Sequence, residues 1–377
     1  VQDDDTATLK AVATAWSTKF DMTDLPSDKS LYLSDGAYTI SKLVKDQYVT
    51  LVANPDYTWG PKPKVEKITV RFIADPTAQV QALQNGEVDI ISGQADADTV
   101  SALDKLKDVT TTTTPTSSYE HVDLTYNNKG PFDPATYGGD AAKALAVRQA
   151  FLKVLPRQEI IDKLIKPISA DATLDNSQVI LPGAAGYDDT VADNGSADYM
   201  TVDVAGAKAL LKQAGVKTPV KVDFMYAKSN PRRAAEFALI QSSAKAAGFT
   251  VVDDGDDDWG TRLGNGSYDA ALFAWQFTSL AVTGAQAQLQ TGGGSNFSGY
   301  SNSTVDDLYS KLQSEYDKDA QLKLLAQIDK ELWADAYGVT LFQFPDVTAF
   351  SNDIKNVKDA PLSPNVYWNF FDWEQSK

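Results

Sequence analysis

Cysteine is absent from this chain and histidine occurs once, as His121. Without thiols there are no disulfides, no thiolate metal sites and no cysteine nucleophile. One imidazole cannot build a zinc site from several histidines, and no HExxH pair is present. Basic residues are scarce beside acidic ones: 34 Lys and Arg against 51 Asp and Glu leave a formal net charge of −17. A surface so acidic repels phosphate backbones, and no basic stripe offsets it, so no nucleic-acid partner is expected. Long apolar runs are missing too. None approaches the about 18 residues that span a bilayer, so no direct membrane insertion of this chain is expected. The opening Val1-Gln2-Asp3-Asp4-Asp5 has neither an initiator Met nor an apolar leader and reads as a processed or truncated product.

What is present describes a folded protein. The apolar fraction of 43% is ordinary for a globular chain. A length of 377 residues exceeds the roughly 100–200 of one compact domain, which predicts two lobes or one lobe with an insertion. Gly36-Ala37-Tyr38-Thr39-Ile40 and Tyr48-Val49-Thr50-Leu51-Val52 alternate like strands around a polar turn at 45–47. Another strand is expected over 65–72. Asp75-Pro76 offers an N-cap and a first-turn proline for a helix that Asn85-Gly86 stops. A second capped helix is expected over about 98–106. The threonine run 110–114 reads as an extended segment, and 119–126 as a further strand. From 141 onward helices and strands alternate, with strands at 220–225, 249–252, 270–275 and 339–344. That order predicts an α/β lobe with a mostly parallel sheet.

Tests for catalysis mostly fail. A serine triad would have to use His121, which lies on a predicted strand, and no G-x-S-x-G elbow exists. The run Asp253-Asp254-Gly255-Asp256-Asp257-Asp258 fits the first three calcium-loop positions from Asp254, but Trp259 replaces the required glycine and Asn265 the closing glutamate. A solvated acidic loop is the better reading. Gly264-Asn265-Gly266 and Gly292-Gly293-Gly294 lack the residues of nucleotide-binding loops. No metal or cofactor is expected. A paired-carboxylate glycoside hydrolase stays open, because 51 acids supply many pairs and a sequence gives no separations. Trp275-Gln276-Phe277 at a strand end, and the aromatic tail Tyr367-Trp368-Asn369-Phe370-Phe371, mix rings with amides as small-molecule sites do and as cores also do.

Several segments in order resemble the peptide- and nickel-binding family of extracellular solute-binding proteins. They are Ser34-Asp35-Gly36-Ala37-Tyr38, Val49-Thr50-Leu51-Val52-Ala53-Asn54-Pro55-Asp56-Tyr57, and Lys67-Ile68. Ala82-Leu83-Gln84-Asn85-Gly86-Glu87-Val88-Asp89-Ile90 follows at the matching distance. Then come Val147-Arg148-Gln149-Ala150-Phe151 with Arg157-Gln158-Glu159-Ile160-Ile161, Tyr268-Asp269 before Trp275, and Phe297-Ser298-Gly299-Tyr300-Ser301-Asn302 before Asp306. Each motif alone is weak, and the ordered set spans nearly the whole chain.

The resemblance implies an α/β, two-lobed, class II periplasmic-binding-protein-like fold with two hinge crossings, placed near Tyr126 and Phe344. The first lobe would be 1–126 plus 345–377 and the second 127–344. The family has an N-terminal block before the region matching Gly36, so the chain resembles a truncated version whose first-lobe edges would favour association. The implied role is a non-catalytic, extracellular or periplasmic component of an ABC importer. It would capture oligopeptides in an interlobe cleft and deliver them to a membrane permease, with lipid anchoring through an absent N-terminal segment. Trp275, Gln276, Phe277 and Thr278 would line the second-lobe wall, with Asn296 and Phe297 on the neighbouring loop and Tyr119 and His121 facing them. Peptide-binding members carry an aspartate at the place of Thr278, where it pairs with the peptide amino group, a bond worth roughly 1.5–3 kcal/mol. A hydroxyl cannot supply that charge, so a neutral solute such as an oligosaccharide is the alternative ligand. A ligand-free structural surface protein is the third reading.

Overall fold

The computed structural model describes residues 5–277, 281–362 and 364–376. Strands β1 (Tyr38–Val44), β2 (Tyr48–Ala53) and β3 (Lys67–Arg71) form an antiparallel sheet in that order. Its first turn is the polar one expected, closed by Asp46 at φ 58°, a left-handed value that aspartate tolerates better than most residues. The main sheet contains β4 (Ile90–Gln94), β5 (Val109–Leu124), β6 (Val220–Tyr226), β7 (Phe249–Asp253), β8 (Ala270–Gln276) and β9 (Gly338–Ser351). Two short strands, β10 (Ile354–Lys355) and β11 (Glu374–Gln375), pair near the end of the chain.

Strand order in the main sheet is β4-β9-β5-β8-β6-β7. Strands β5 and β9 run antiparallel along one another from Val109↔Ser351 to Asp123↔Gly338, with register breaks between Pro115 and Tyr119 and between Glu120 and His121. At one end of this ribbon β4 joins β9, and at the other β8 joins β5. The threonine run and the Tyr119 strand are therefore one 16-residue element. Proline at 115 and 345 face each other at the break, where neither can donate to the ladder. The expectation of a mostly parallel sheet needs correction: only β6 with β7 and β6 with β8 pair in parallel, and the ribbon pairs antiparallel.

Local sequence sets most helix starts. Asp75 Oδ1 accepts Ala78 N–H at 2.8 Å ahead of helix Pro76–Gln84, and Gly86 follows at φ 69°. Helix Ala97–Leu103 begins earlier than expected because Asp96 is the cap, accepting Thr99 N–H at 2.8 Å. Asn230 caps helix Pro231–Lys245 through Arg233 N–H at 3.1 Å. Val80, Leu83 and Leu103 pack with Val347 and Ala349 at the β4 end of the sheet. At the other end a larger core joins Val147, Phe151, Phe237 and Ile240 to Val122, Phe224, Leu272 and Phe342. Each such side chain, fully buried, contributes about 1.5–3 kcal/mol before entropy is set against it.

Candidate functional site

The carboxyl ends of β6 and β8 point the same way, because the two strands are parallel. Ligands of open α/β sheets gather at such ends. Strand β4 ends at Gln94 from the opposite direction, and Gln94 meets Arg232, the second residue of the helix that follows β6. The rim between these ends is the candidate site.

One side of the rim is aromatic. Trp275 and Phe297 stack with centroids 5.9 Å apart and planes 10° from parallel. Phe277 stacks on Tyr119 at 5.5 Å. Phe273 links the wall inward to Trp259 at 6.1 Å and to Trp275 at 5.5 Å. Backbone bonds fix the strand end, with Phe277 N–H donating to Ser117 O at 3.0 Å and Ser117 Oγ donating back to Phe277 O at 2.5 Å. Exposed Gln276 donates through Nε2 to Asn365 Oδ1 at 3.2 Å, which ties the wall to the C-terminal segment.

The expected site residues divide by environment. Trp275, Gln276, Phe277, Phe297 and Tyr119 come together on the rim. His121 lies one step deeper, 2% exposed, with Nδ1 2.9 Å from Asp123 Oδ1 and Nε2 without a partner among the described residues. The Asn296 side chain holds its own loop. Its Nδ2 donates to Gln290 O at 2.9 Å and Tyr300 O at 2.8 Å, and its Oδ1 accepts from Tyr300 N–H at 3.1 Å. Thr278 lies outside the described residues.

The other side of the rim is ionic and was not singled out from the sequence. Glu120, fully buried on β5, accepts Arg233 Nε at 2.7 Å and Arg232 Nη2 at 3.1 Å. Arg232 also donates to Gln94 Oε1 at 3.0 Å and pairs with Glu236, while its guanidinium lies 4.6 Å over the Phe344 ring. Burial works against the Glu120 carboxylate, but the two guanidinium groups hold it below the usual range. Glu236 goes the other way, pushed up to about 7 by burial despite Arg232. The four-residue spacing of Arg232 and Glu236 on one helix was the one local signal for this cluster. Below the rim, a pocket of about 340 Å³ is lined by Gln79, Gln94, Asp96, Ser229, Asn230 and Arg232 among others.

No group of three or more metal-ligating side chains occurs among the described residues. The acidic loop at 253–258 is organised by Arg262, which binds Asp254 at 2.6 Å and Asp256 at 3.2 Å. No described helix is long and apolar enough to cross a membrane.

Residues 6–297 match the family described as bacterial extracellular solute-binding proteins, family 5. The oligopeptide-binding protein OppA of Mycobacterium tuberculosis is 24% identical over 89% of this chain and 56% of its own length. An uncharacterized lipoprotein of the same species is 27% identical over 97% of this chain and 62% of its own. Among solved structures, the periplasmic EDTA-binding protein EppA superimposes with a TM-score of 0.80 at 23% identity, covering 91% of this chain and 64% of that one. The structural likeness establishes the class II periplasmic-binding fold. This chain spans a little over half the length of the curated relatives named. The matched family consists of solute-binding proteins, not enzymes, which sets the glycoside hydrolase alternative aside.

Proposed function

The chain belongs to the bacterial extracellular solute-binding proteins of family 5, and from that membership we propose that it captures oligopeptides outside the cytoplasm and presents them to a membrane ABC permease. The observation that carries this reading is the stacked Trp275–Phe297 wall at the carboxyl end of β8, set across from the end of β4. Flat rings at a rim supply contact area to a peptide backbone at little entropic cost. Trp275, Gln276, Phe277, Phe297 and Tyr119 form the wall. Asn296 shapes its loop, and His121 supports it from beneath.

The lobes divide as 1–115 plus 345–377 and 116–344, with the first boundary earlier than the expected 126 because Ser118–Leu124 pair with β8 of the second lobe. Their pivot lies where Pro115 and Pro345 interrupt the β5–β9 ribbon, upstream of Tyr126. A hinge at two antiparallel crossing strands lets the β4 end close on the β8 end. Lipid anchoring through a preceding segment agrees with the lipoprotein description of one relative.

A second reading, a neutral solute such as an oligosaccharide, draws on Thr278, whose hydroxyl cannot balance a peptide amino group. Native mass spectrometry of the protein as purified, set against its denatured mass, separates the two. A mass excess that fragments into amino-acid residues supports peptide capture. An excess with hexose spacing replaces the ligand assignment. No excess, and none after incubation with a tetrapeptide library, overturns the binding reading.

A further inference from the structure

The threonine run that opens β5 is not accounted for by the aromatic wall. Alternate residues of a strand share a face, and Thr112 and Thr114 lie opposite Thr348 and Asp346 of β9. Val347, on the other face, packs into the apolar core at the β4 end. On the threonine face one carboxylate collects the hydroxyls. Asp359 Oδ2 accepts Thr112 Oγ1 at 2.5 Å and Thr114 Oγ1 at 3.3 Å, and its Oδ1 accepts Thr348 Oγ1 at 2.6 Å. Beyond Asp359 the chain meets the proline break. Ser117 N–H, which lies in the register gap of the ribbon, donates to Pro361 O at 2.7 Å. Asn365 Oδ1 then accepts Gln276 Nε2 at 3.2 Å, from a backbone at φ 54°, a left-handed value that asparagine tolerates better than most residues. Ser117 spends its carbonyl and hydroxyl on Phe277, so these contacts converge on the wall. Thr112, Thr114 and Thr348 belong to the first lobe, Ser117 and Gln276 to the second.

We propose that Asp359, Pro361 and Asn365 strap the two lobes together across the hinge, and that the Asn365–Gln276 bond is a latch made in the closed state and broken on opening. This rests on the two-lobed solute-binding reading and adds a control on how firmly that site keeps its solute. The two ends of the strap differ in strength. At Asp359 three hydroxyls donate to one carboxylate, and charge-assisted bonds are the strong ones. At Asn365 one neutral amide meets another, with Gln276 exposed. Rotation about the Pro115–Pro345 break therefore parts the Asn365 end first, and the strap stays with the first lobe while the wall moves away. A neutral hydrogen bond shifts a two-state equilibrium by about two- to tenfold, enough to favour closure without locking it.

Because the chain has no cysteine, Ser101→Cys and Lys208→Cys, on exposed helical positions of the first and second lobes, place two spin labels with no competing thiol. Distances between the labels report the open and closed populations, measured without ligand and with a tetrapeptide library. Asn365→Gly deletes the acceptor and suits the left-handed backbone. It should raise the open-to-closed ratio about two- to tenfold and speed the release of captured peptide by a similar factor. Asn365→Asp keeps an acceptor oxygen and should stay near the wild type, a rescue that a merely structural role would not give. Thr112→Val loosens the other end and should raise the ratio as well; should Asn365→Gly not fold, this variant decides. Distance distributions that coincide for the wild type and the loosened variant overturn the strap. A shifted ratio with no peptide captured by the wild type leaves the strap standing and fails the peptide reading.

Discussion

Glu120 on β5 and Arg233 on the helix after β6 meet at 2.7 Å in the interior, with the Glu120 carboxylate also shared by Arg232. Through Arg232 the same cluster reaches Gln94 at the end of β4. One buried carboxylate thus connects the elements on both sides of the rim.

Glu120→Gln keeps the shape and removes the charge, leaving two buried guanidinium groups to one remaining carboxylate. Unfolding in urea should show a loss of about 3–5 kcal/mol, the cost of orphaning a buried charge. Glu159→Gln breaks an exposed pair with Lys163 and serves as the control. Its change should stay within about 0.5 kcal/mol. Equal effects would mean the interior cluster is no more than a surface pair.

Stability should fall as pH rises through the range set by Asp346. Burial, with Asp359 adding to it, pushes this carboxyl up to about 6 from an ordinary 3.8. The folded state therefore binds its proton more tightly than the unfolded state does. That contribution is complete below about pH 3.8 and lost as pH rises through about 6. Melting temperatures between pH 5 and 7.5 should decline less steeply in Asp346→Asn, and the variant should be the more stable at pH 7.5. A wild-type slope retained by the variant would point to another group.

Gly338 opens β9 where the strand passes close to β5. A methyl group there would come 2.4 Å from the Val122 carbonyl oxygen, a backbone atom that cannot swing aside. Gly338→Ala should cost about 1–3 kcal/mol by forcing the strands apart, read as a lowered melting temperature. An unchanged melting point would show that the β5–β9 ribbon yields at this point.

Removing either partner of the Trp275–Phe297 stack should weaken tetrapeptide capture without unfolding the chain, since both rings are only part-buried. Trp275→Ala is expected to lose about tenfold or more in affinity, as buried aromatic contacts do in binding sites. Calorimetric titration with an undiminished affinity would move the wall elsewhere.

Reading along the chain located most elements because their signals are local. Asp75-Pro76 started a helix, and the polar turn before Tyr48 closed a hairpin, each within a few residues of the observed bounds. The failures share one cause. Thr110 to Thr114 and Tyr119 belong to one strand because β9 runs beside both, and β9 lies more than two hundred residues away. The sheet is mixed for the same reason. Alternation of helix and strand predicts parallel neighbours, but the long ribbon inserts two antiparallel ones.

For the site, the residue types beside Trp275 and the family order of motifs drew attention to the end of β8, where Trp275 stacks on Phe297. His121 and Asn296 show the boundary of such reasoning. Both are polar residues in the right segments, yet one lies in the interior beside Asp123 and the other holds a turn together. Composition could not separate these fates, since binding sites and cores draw on the same side chains.

Sequence alone determined the chemistry that is excluded, the positions of caps and turns, and the family. These follow from what a residue is and from its nearest neighbours in the chain. Tertiary structure decided that Glu120, Arg232, Arg233 and Gln94 form one cluster. Which partner a buried charge finds depends on strand pairing across the molecule, and that pairing is settled only when the whole sheet forms.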